Sequence, residues 1–304
     1  MNQLGLLALG SAALVLHVGL LLLATPLMAI GAEGFPALRS PAAWRGWLAQ
    51  PFLRLATLAS REPVRSEGAS PVPRLAPILS LACTGCAALL VPSFLRVMLD
   101  WPLADLALVL ALLGTSRGCW LFAAADGGSA ATGLAAIGAT VDALLALPGL
   151  VLSASVLLML SGGAGLDAML AGQRGLAAPG ALACVAGLGL GALASGGREA
   201  ALSQALSGPD LALFRLETGL RRVVWIDLLG ALAWPGSVAA APSGPLFWLS
   251  ALLCWLLRFG MALALFALLS GPLGDPGLRR RLAAFSLFAA LLGPILLLAG
   301  QSAE

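Results

Sequence analysis

The chain has 304 residues, of which 60% are hydrophobic and only 10% charged, against roughly 25% charged in an ordinary globular domain. A mean hydropathy of +0.98 excludes a soluble enzyme, and the even spread of apolar residues excludes a soluble domain on a single anchor. The formal charge of +3, carried on 17 arginines with no lysine, is too small to argue for nucleic acid. The expected fold is an all-α polytopic membrane protein, one transmembrane domain over 1–304.

A helix crossing a hydrocarbon core of about 30 Å needs roughly 20 mainly apolar residues. Cutting the chain where arginines, acids, Pro or Gly interrupt gives eight spans: 4–32, 75–97, 101–124, 132–161, 177–196, 220–240, 245–270 and 282–300. The first lacks the charged leader of a signal peptide and runs too long for one, so it reads as a retained helix. Between spans one and two, the connection 33–74 carries six arginines, among them Arg54, Arg61 and Arg74, and a stretch in which Trp44, Trp47, Leu48, Phe52 and Leu55 recur at helical spacing. Such a face fits a helix lying in the membrane interface, as an anchor or as a docking surface.

Further along, Arg117 marks the third-to-fourth connection, Arg198, Arg215, Arg221 and Arg222 surround the fifth-to-sixth (197–219), and Arg279, Arg280 and Arg281 fill the seventh-to-eighth. These are alternate connections, so positive charge assigns them to the cytoplasm and places both termini on the other side. The segment 197–219 mixes Glu199, Asp210, Arg215 and Glu217 with leucines and reads as a short amphipathic loop. No inverted repeat of the transporter kind is visible.

Ionisable groups at membrane depth are costly unless paired or hydrated, so each is a functional candidate. Asp142 lies in span four with no charge near it in sequence; it suits a proton relay, the alternative being an acid near the interface hydrogen-bonded to a neighbouring helix. Arg258 falls mid-span in the seventh helix and requires a buried acid, Asp142 or Asp227, or a water-filled cavity; a structural ion pair and a transport role are both open. His17, the single histidine, cannot form a metal or haem site by itself and is expected to make a core hydrogen bond. Asp105, near the outer face, is expected to be solvated. Cys83 and Cys86 form one CxxC without a second ligand pair, so no metal site is expected. Neither a nucleophile motif nor a phosphate-binding loop is present, so catalysis on this chain is not expected.

Several segments are similar to a known family. Gln50-Pro-Phe-Leu-Arg-Leu, then Ser66-Glu67-Gly-Ala-Ser70 and Arg74-Leu-Ala-Pro77, resemble its first cytoplasmic loop; Arg117, Asp126-Gly-Gly-Ser129 and Gly138-Ala-Thr140 resemble its approach to span four; Ser207-Gly208-Pro-Asp210-Leu-Ala-Leu resembles its segment before span six. The family is the membrane anchor subunit of group 4 membrane-bound [NiFe] hydrogenases and formate hydrogenlyase (formate hydrogenlyase subunit 4), itself related to the quinone-site membrane subunit of respiratory complex I.

The resemblance implies a non-catalytic subunit that docks a peripheral hydrogenase-like large subunit and an iron–sulfur small subunit. It further implies contact with antiporter-like membrane subunits and a part in redox-coupled proton or sodium translocation. The setting it implies is a bacterial inner membrane. Glu67, Arg74, Arg117, Asp126, Asp210 and Glu217 would form the docking and coupling loops, while Asp142, Arg258, Asp227 and Glu199 are candidates for the proton path. No cofactor is expected on this chain: any [NiFe] or iron–sulfur cluster would sit on partners, and the surface helix is compatible with quinone. Departures from the family pattern are Val141 in place of an arginine, and Leu147 and Leu269 where carboxylates would stand. They imply an anchor with a reduced or rerouted carboxylate path. The alternative is a free-standing transporter or channel, for which Pro148-Gly149 and Gly293-Pro294 would be helix breaks.

Overall fold

Backbone polar groups surrounded by lipid must be satisfied within their own segment, which favours helices wherever about twenty apolar residues run together. The computed structural model describes residues 3–31, 49–62, 71–95, 104–127, 129–163, 165–172, 179–196, 198–239, 245–269 and 275–301, and has no strand among them. The first helix, α1 (Gln3–Pro26), relaxes into a π-helical turn at Leu27–Gly31, just after Pro26 removes a backbone donor. A short surface helix, α2 (Gln50–Ala59), follows, with Pro51 in its first turn. Trp44, Trp47 and Leu48 before it and Glu67 after it lie outside the described residues.

The bundle then continues through α3 (Val72–Leu90), α4 (Leu106–Ala125), α5 (Ala130–Ser161), the short α6 (Leu166–Gly172), α7 (Pro179–Ser195), the single turn α8 (Glu199–Leu202), α9 (Gly208–Ala233), α10 (Pro245–Leu269) and α11 (Pro276–Gln301). Local chemistry sets several ends. Asp105 caps α4, its Oδ1 accepting the Ala107 amide at 2.9 Å. At the far end of α5, Gly162 takes the left-handed conformation (φ 66°) that terminates helices.

Seven helices among the described residues are long and apolar enough to cross a membrane. The remaining long helix, α9, has 26 residues but carries Asp210, Arg215, Glu217, Arg221, Arg222 and Asp227. Protein surrounds it instead: α9 packs on α1, α2, α3, α7 and α10. The sequence places a loop over 197–219 and starts span six at 220, whereas α9 begins at Gly208. Pro209 in the first turn, Asp210 beside the helix N-terminus and the absence of a further proline within the helix carry it back by three turns.

Small residues set the tightest packing. On α7, Gly180 faces the carbonyl of Gly293 on α11, and Gly187 accepts the Ser286 hydroxyl at 2.7 Å through its own carbonyl. A Cβ on Gly180 would lie 2.5 Å from the Gly293 oxygen, so the two backbones meet because neither residue has a side chain. The principal core runs through Leu106, Leu157, Leu188, Val223, Leu228 and Trp255. Leu134, Ile137, Met159, Leu246 and Phe288 point outward, as lipid-facing residues do. Fold and hydropathy together make this a multi-pass membrane protein.

Candidate functional site

Polar side chains buried in an apolar bundle gather where they can satisfy one another, and here they form three groups. In the first, α3, α4 and α9 meet. Ser80 and Thr84 lie one turn apart on α3, and both reach Ser116 on α4, at 2.8 and 2.7 Å between hydroxyl oxygens. Ser116 donates to Glu217 Oε1 at 2.7 Å, and Thr84 donates to the same oxygen at 3.1 Å. Glu217 is wholly buried and pairs with Arg221 one turn later, at 3.2 Å. Arg221 in turn holds Glu199 at 3.0 Å, and Glu199 also takes a short charge-assisted bond from Arg222. The other Arg222 nitrogen, Nη1, donates to the Met28 carbonyl at 3.0 Å. That carbonyl belongs to the π-helical turn, where the ordinary helical ladder is altered. The result is a continuous chain of hydrogen bonds and ion pairs from Ser80 to Met28 through two carboxylates. Arg117 is buried beside it, within electrostatic range of Arg221, Glu199 and Glu217.

Asp142 is the centre of the second group. It is 5% exposed, and its Oδ2 accepts from Arg198 Nε at 2.9 Å and forms an ion pair with Arg279 Nε at 3.0 Å. Arg198 is the only described non-glycine residue in the left-handed region (φ 66°), a conformation unusual for a long side chain and one the ion pair offsets. Gly138, one turn before Asp142, leaves room for it: a Cβ there would lie 2.5 Å from the Arg198 guanidinium carbon. Val141, where the family resemblance implies an arginine, points outward at 44% exposure. The positive charges on Asp142 are thus supplied by the α7–α8 turn and by α11.

The third group surrounds the end of α3. Arg258 Nη2 donates to the Ser93 carbonyl at 2.8 Å, while His17 bridges the Ser93 hydroxyl (2.7 Å) and the Ala88 carbonyl (3.0 Å). Pro92 interrupts the helix there and frees those carbonyls. Asp227 accepts the Trp255 indole N–H at 2.7 Å and lies within electrostatic range of Arg258. Of the two partners expected for Arg258, Asp142 is engaged elsewhere and Asp227 sits close by without a direct ion pair among the described contacts. A carbonyl is what Arg258 actually binds.

The docking residues separate. Arg74 and Asp126 are exposed at the ends of α3 and α4, and Asp210 is half-buried in the first turn of α9. Arg117 and Glu217, assigned by resemblance to the coupling loops, are instead buried inside the bundle. The cause is the longer α9, which brings Glu217 inward. Sequence reasoning missed Ser80, Thr84 and Ser116. The spacing of Ser80 and Thr84 on one face of an apolar span was the available signal.

Between α4, α5, α7, α9, α10 and α11 lies a cavity of about 1250 Å³, larger than the roughly 300–1,000 Å³ of pockets that enclose a drug-sized ligand. Leu110, Leu150, Leu190, Leu229 and Met261 line its body, and Arg198, Glu199, Arg222 and Arg279 line one end. All three polar groups therefore border one cavity, the third through Arg258.

Helix order, the arginine-rich end and a buried chain of hydroxyls, carboxylates and guanidiniums define a polytopic membrane protein with a polar interior. No family model and no curated protein matches the chain. Among solved structures, a chain of the membrane-bound sulfane sulfur reductase, an archaeal respiratory membrane complex, is similar with a TM-score of 0.66 at 14% identity, over 96% of this chain and 99% of that one. This likeness is one of fold.

Proposed function

We propose that this chain is a non-catalytic membrane subunit of a complex I-like respiratory or hydrogenase complex. It seats a peripheral redox module and contributes part of a proton or sodium path. The observation that carries the reading is the near end-to-end match to a chain of a respiratory membrane complex, joined to the buried chain through Glu217, Arg221 and Glu199. A free-standing fold has little use for an arginine-rich end with a surface helix strapped to it, whereas a subunit that receives a soluble arm does. That strap is specific: Gly208 (φ 54°) lets α9 begin against the Arg61 and Glu62 carbonyls that follow α2, and a Cβ at this position would lie 2.9 Å from both oxygens.

Hydroxyls relay protons by rotating, and carboxylates by ionising, so the Ser80–Ser116–Glu217 segment supports a role in ion movement. Arg221 sits between Glu217 and Glu199 and pairs with both, at 3.2 and 3.0 Å. Leu147 lines the cavity at a position where the family resemblance implies a carboxylate, which supports a shortened or rerouted path. The partners in this reading are a hydrogenase-like large subunit, an iron–sulfur small subunit and antiporter-like membrane subunits. Any redox cofactor resides on those chains. To test the docking half, Arg74→Glu and Asp126→Lys are combined in the native membrane. The expected result is release of the iron–sulfur and large subunits into the soluble fraction while this chain stays embedded; retention of the arm would remove this face from the docking surface.

A further inference from the structure

We propose that Arg198 is a positioning residue that couples Asp142 to Glu199, so that the two buried ionic groups respond as one unit. The part this gives Arg198 in ion movement rests on the function proposed above; the coupling itself does not. No hydrogen bond or ion pair joins the two acids directly among the described residues. They are joined through neighbours in sequence. Arg198 Nε donates to Asp142 Oδ2 at 2.9 Å, and Glu199, the next residue, pairs with Arg221 at 3.0 Å and with Arg222. Consecutive Cα atoms are about 3.8 Å apart across a trans peptide, and hydrogen-bonded pairs weaken steeply with small losses of alignment. A turn that moves at Arg198 therefore draws Glu199 off its arginines.

Three features make that turn depend on Asp142. First, Arg198 has φ 66°, a left-handed conformation that costs free energy in any residue with a side chain, so the turn relaxes once the pair that holds it is lost. Second, the seat is built for the side chain. The guanidinium packs over Gly138, where a Cβ would lie 2.5 Å from Arg198 Cζ, and Asp142 is itself fixed against α11 by Arg279 at 3.0 Å. Third, the far end of α8 is anchored: the Leu202 amide donates to the Arg198 carbonyl at 3.0 Å, and Leu202, 2% exposed, belongs to a core with Trp120 and Phe214. With α8 clamped at Leu202, the pair to Asp142 sets the end that carries Glu199. From there the link runs through Arg221 to Glu217 and through Arg222 to the Met28 carbonyl, so a change on α5 reaches α9 and α1 across one peptide unit.

The test is a mutant cycle on the full-length chain in mild detergent, read as the shift in thermal unfolding midpoint. Asp142→Asn and Glu199→Gln should each lower the midpoint, and the double variant should lose at least a third less than the sum of the two. In an Arg198→Gly background, where glycine accepts the backbone conformation but makes no pair, the two losses should add. Arg198→Lys, which returns a cation to Asp142, should restore at least half of the shortfall, a rescue that a merely structural role for the turn would not give. If Asp142→Asn does not fold, Asp142→Asn combined with Arg279→Gln takes its place throughout. Additive losses in the natural background would overturn the proposal. A shortfall that persists with glycine at position 198 would overturn it too, by routing the coupling through other residues. Failure of the wild-type complex to move ions would count against the proposed function and not against the coupling, which the cycle decides alone.

Discussion

Ser116 on α4 donates its hydroxyl to Glu217 on α9 at 2.7 Å, across 101 positions of sequence. Glu217 is fully buried, and its ion-pair partner is Arg221 at 3.2 Å. The pair ties the α3–α4 hairpin to the most highly charged helix of the bundle, so removing the acid tests structure and function together. Glu217→Gln keeps an acceptor for Ser116 and Thr84, and the complex should assemble while redox-driven ion translocation, measured in inverted vesicles, falls at least tenfold. Glu217→Ala leaves Arg221 without that partner and should lower unfolding stability by about 3–5 kcal/mol, the usual cost of breaking a buried pair. Translocation at the wild-type rate in the Gln variant would remove Glu217 from the path.

Asp142 holds two arginines from different connections, so its loss should be felt at both. Asp142→Asn is expected to retain assembly and abolish translocation if the acid relays protons. Its thermal unfolding midpoint in detergent should fall, since Arg279, 2% exposed, has little water to replace the carboxylate. Restoring the midpoint by adding Arg279→Gln, which removes the stranded charge, would identify that arginine as the source of the loss. An unchanged midpoint in the single variant would contradict the buried pair.

Arg258 is expected to be coupled to Gly230, because a Cβ on Gly230 would lie 2.6 Å from Arg258 Nη1. Gly230→Ala should therefore cost about 1–3 kcal/mol through overpacking. Arg258→Ala should also destabilise, by freeing the Ser93 carbonyl of its donor. In the double variant the two costs should fall short of their sum by at least about 0.5 kcal/mol. Additive effects would show that the two residues do not interact.

Packing of α7 on α11 depends on absent side chains. Gly187→Leu would drive a side chain toward the Ser286 carbonyl, 3.2 Å from a Cβ at that position, and break the bond from Ser286 to the Gly187 carbonyl. Sharply reduced yield of folded protein from the membrane is expected. Gly85→Leu, where a Cβ meets nothing within 4 Å, should be tolerated and serves as the control.

Helix number and approximate bounds were legible because about twenty apolar residues between arginines admit few alternatives in lipid; span seven, 245–270, differs from α10 by one residue. Span six was not, because α9 combines charged residues with apolar ones and owes its helix to neighbouring protein, which no local average records. Asp142 stood out as a lone acid in an apolar span, but its partners Arg198 and Arg279 lie 56 and 137 positions away and only folding joins them. Glu217 looked like a loop residue for the same reason that α9 looked short. His17 was readable in kind, a core hydrogen bond, though not in its partners Ser93 and Ala88.

The proposed place of this chain, as one subunit of a larger redox assembly, rests on its partners. The most direct measurement is gentle extraction from the native membrane followed by mass spectrometry of what co-purifies. Stoichiometric iron–sulfur and hydrogenase-like or quinone-reductase-like chains are expected, together with antiporter-like membrane subunits. A homogeneous preparation of this chain without partners, from membranes where it is stably expressed, would contradict it.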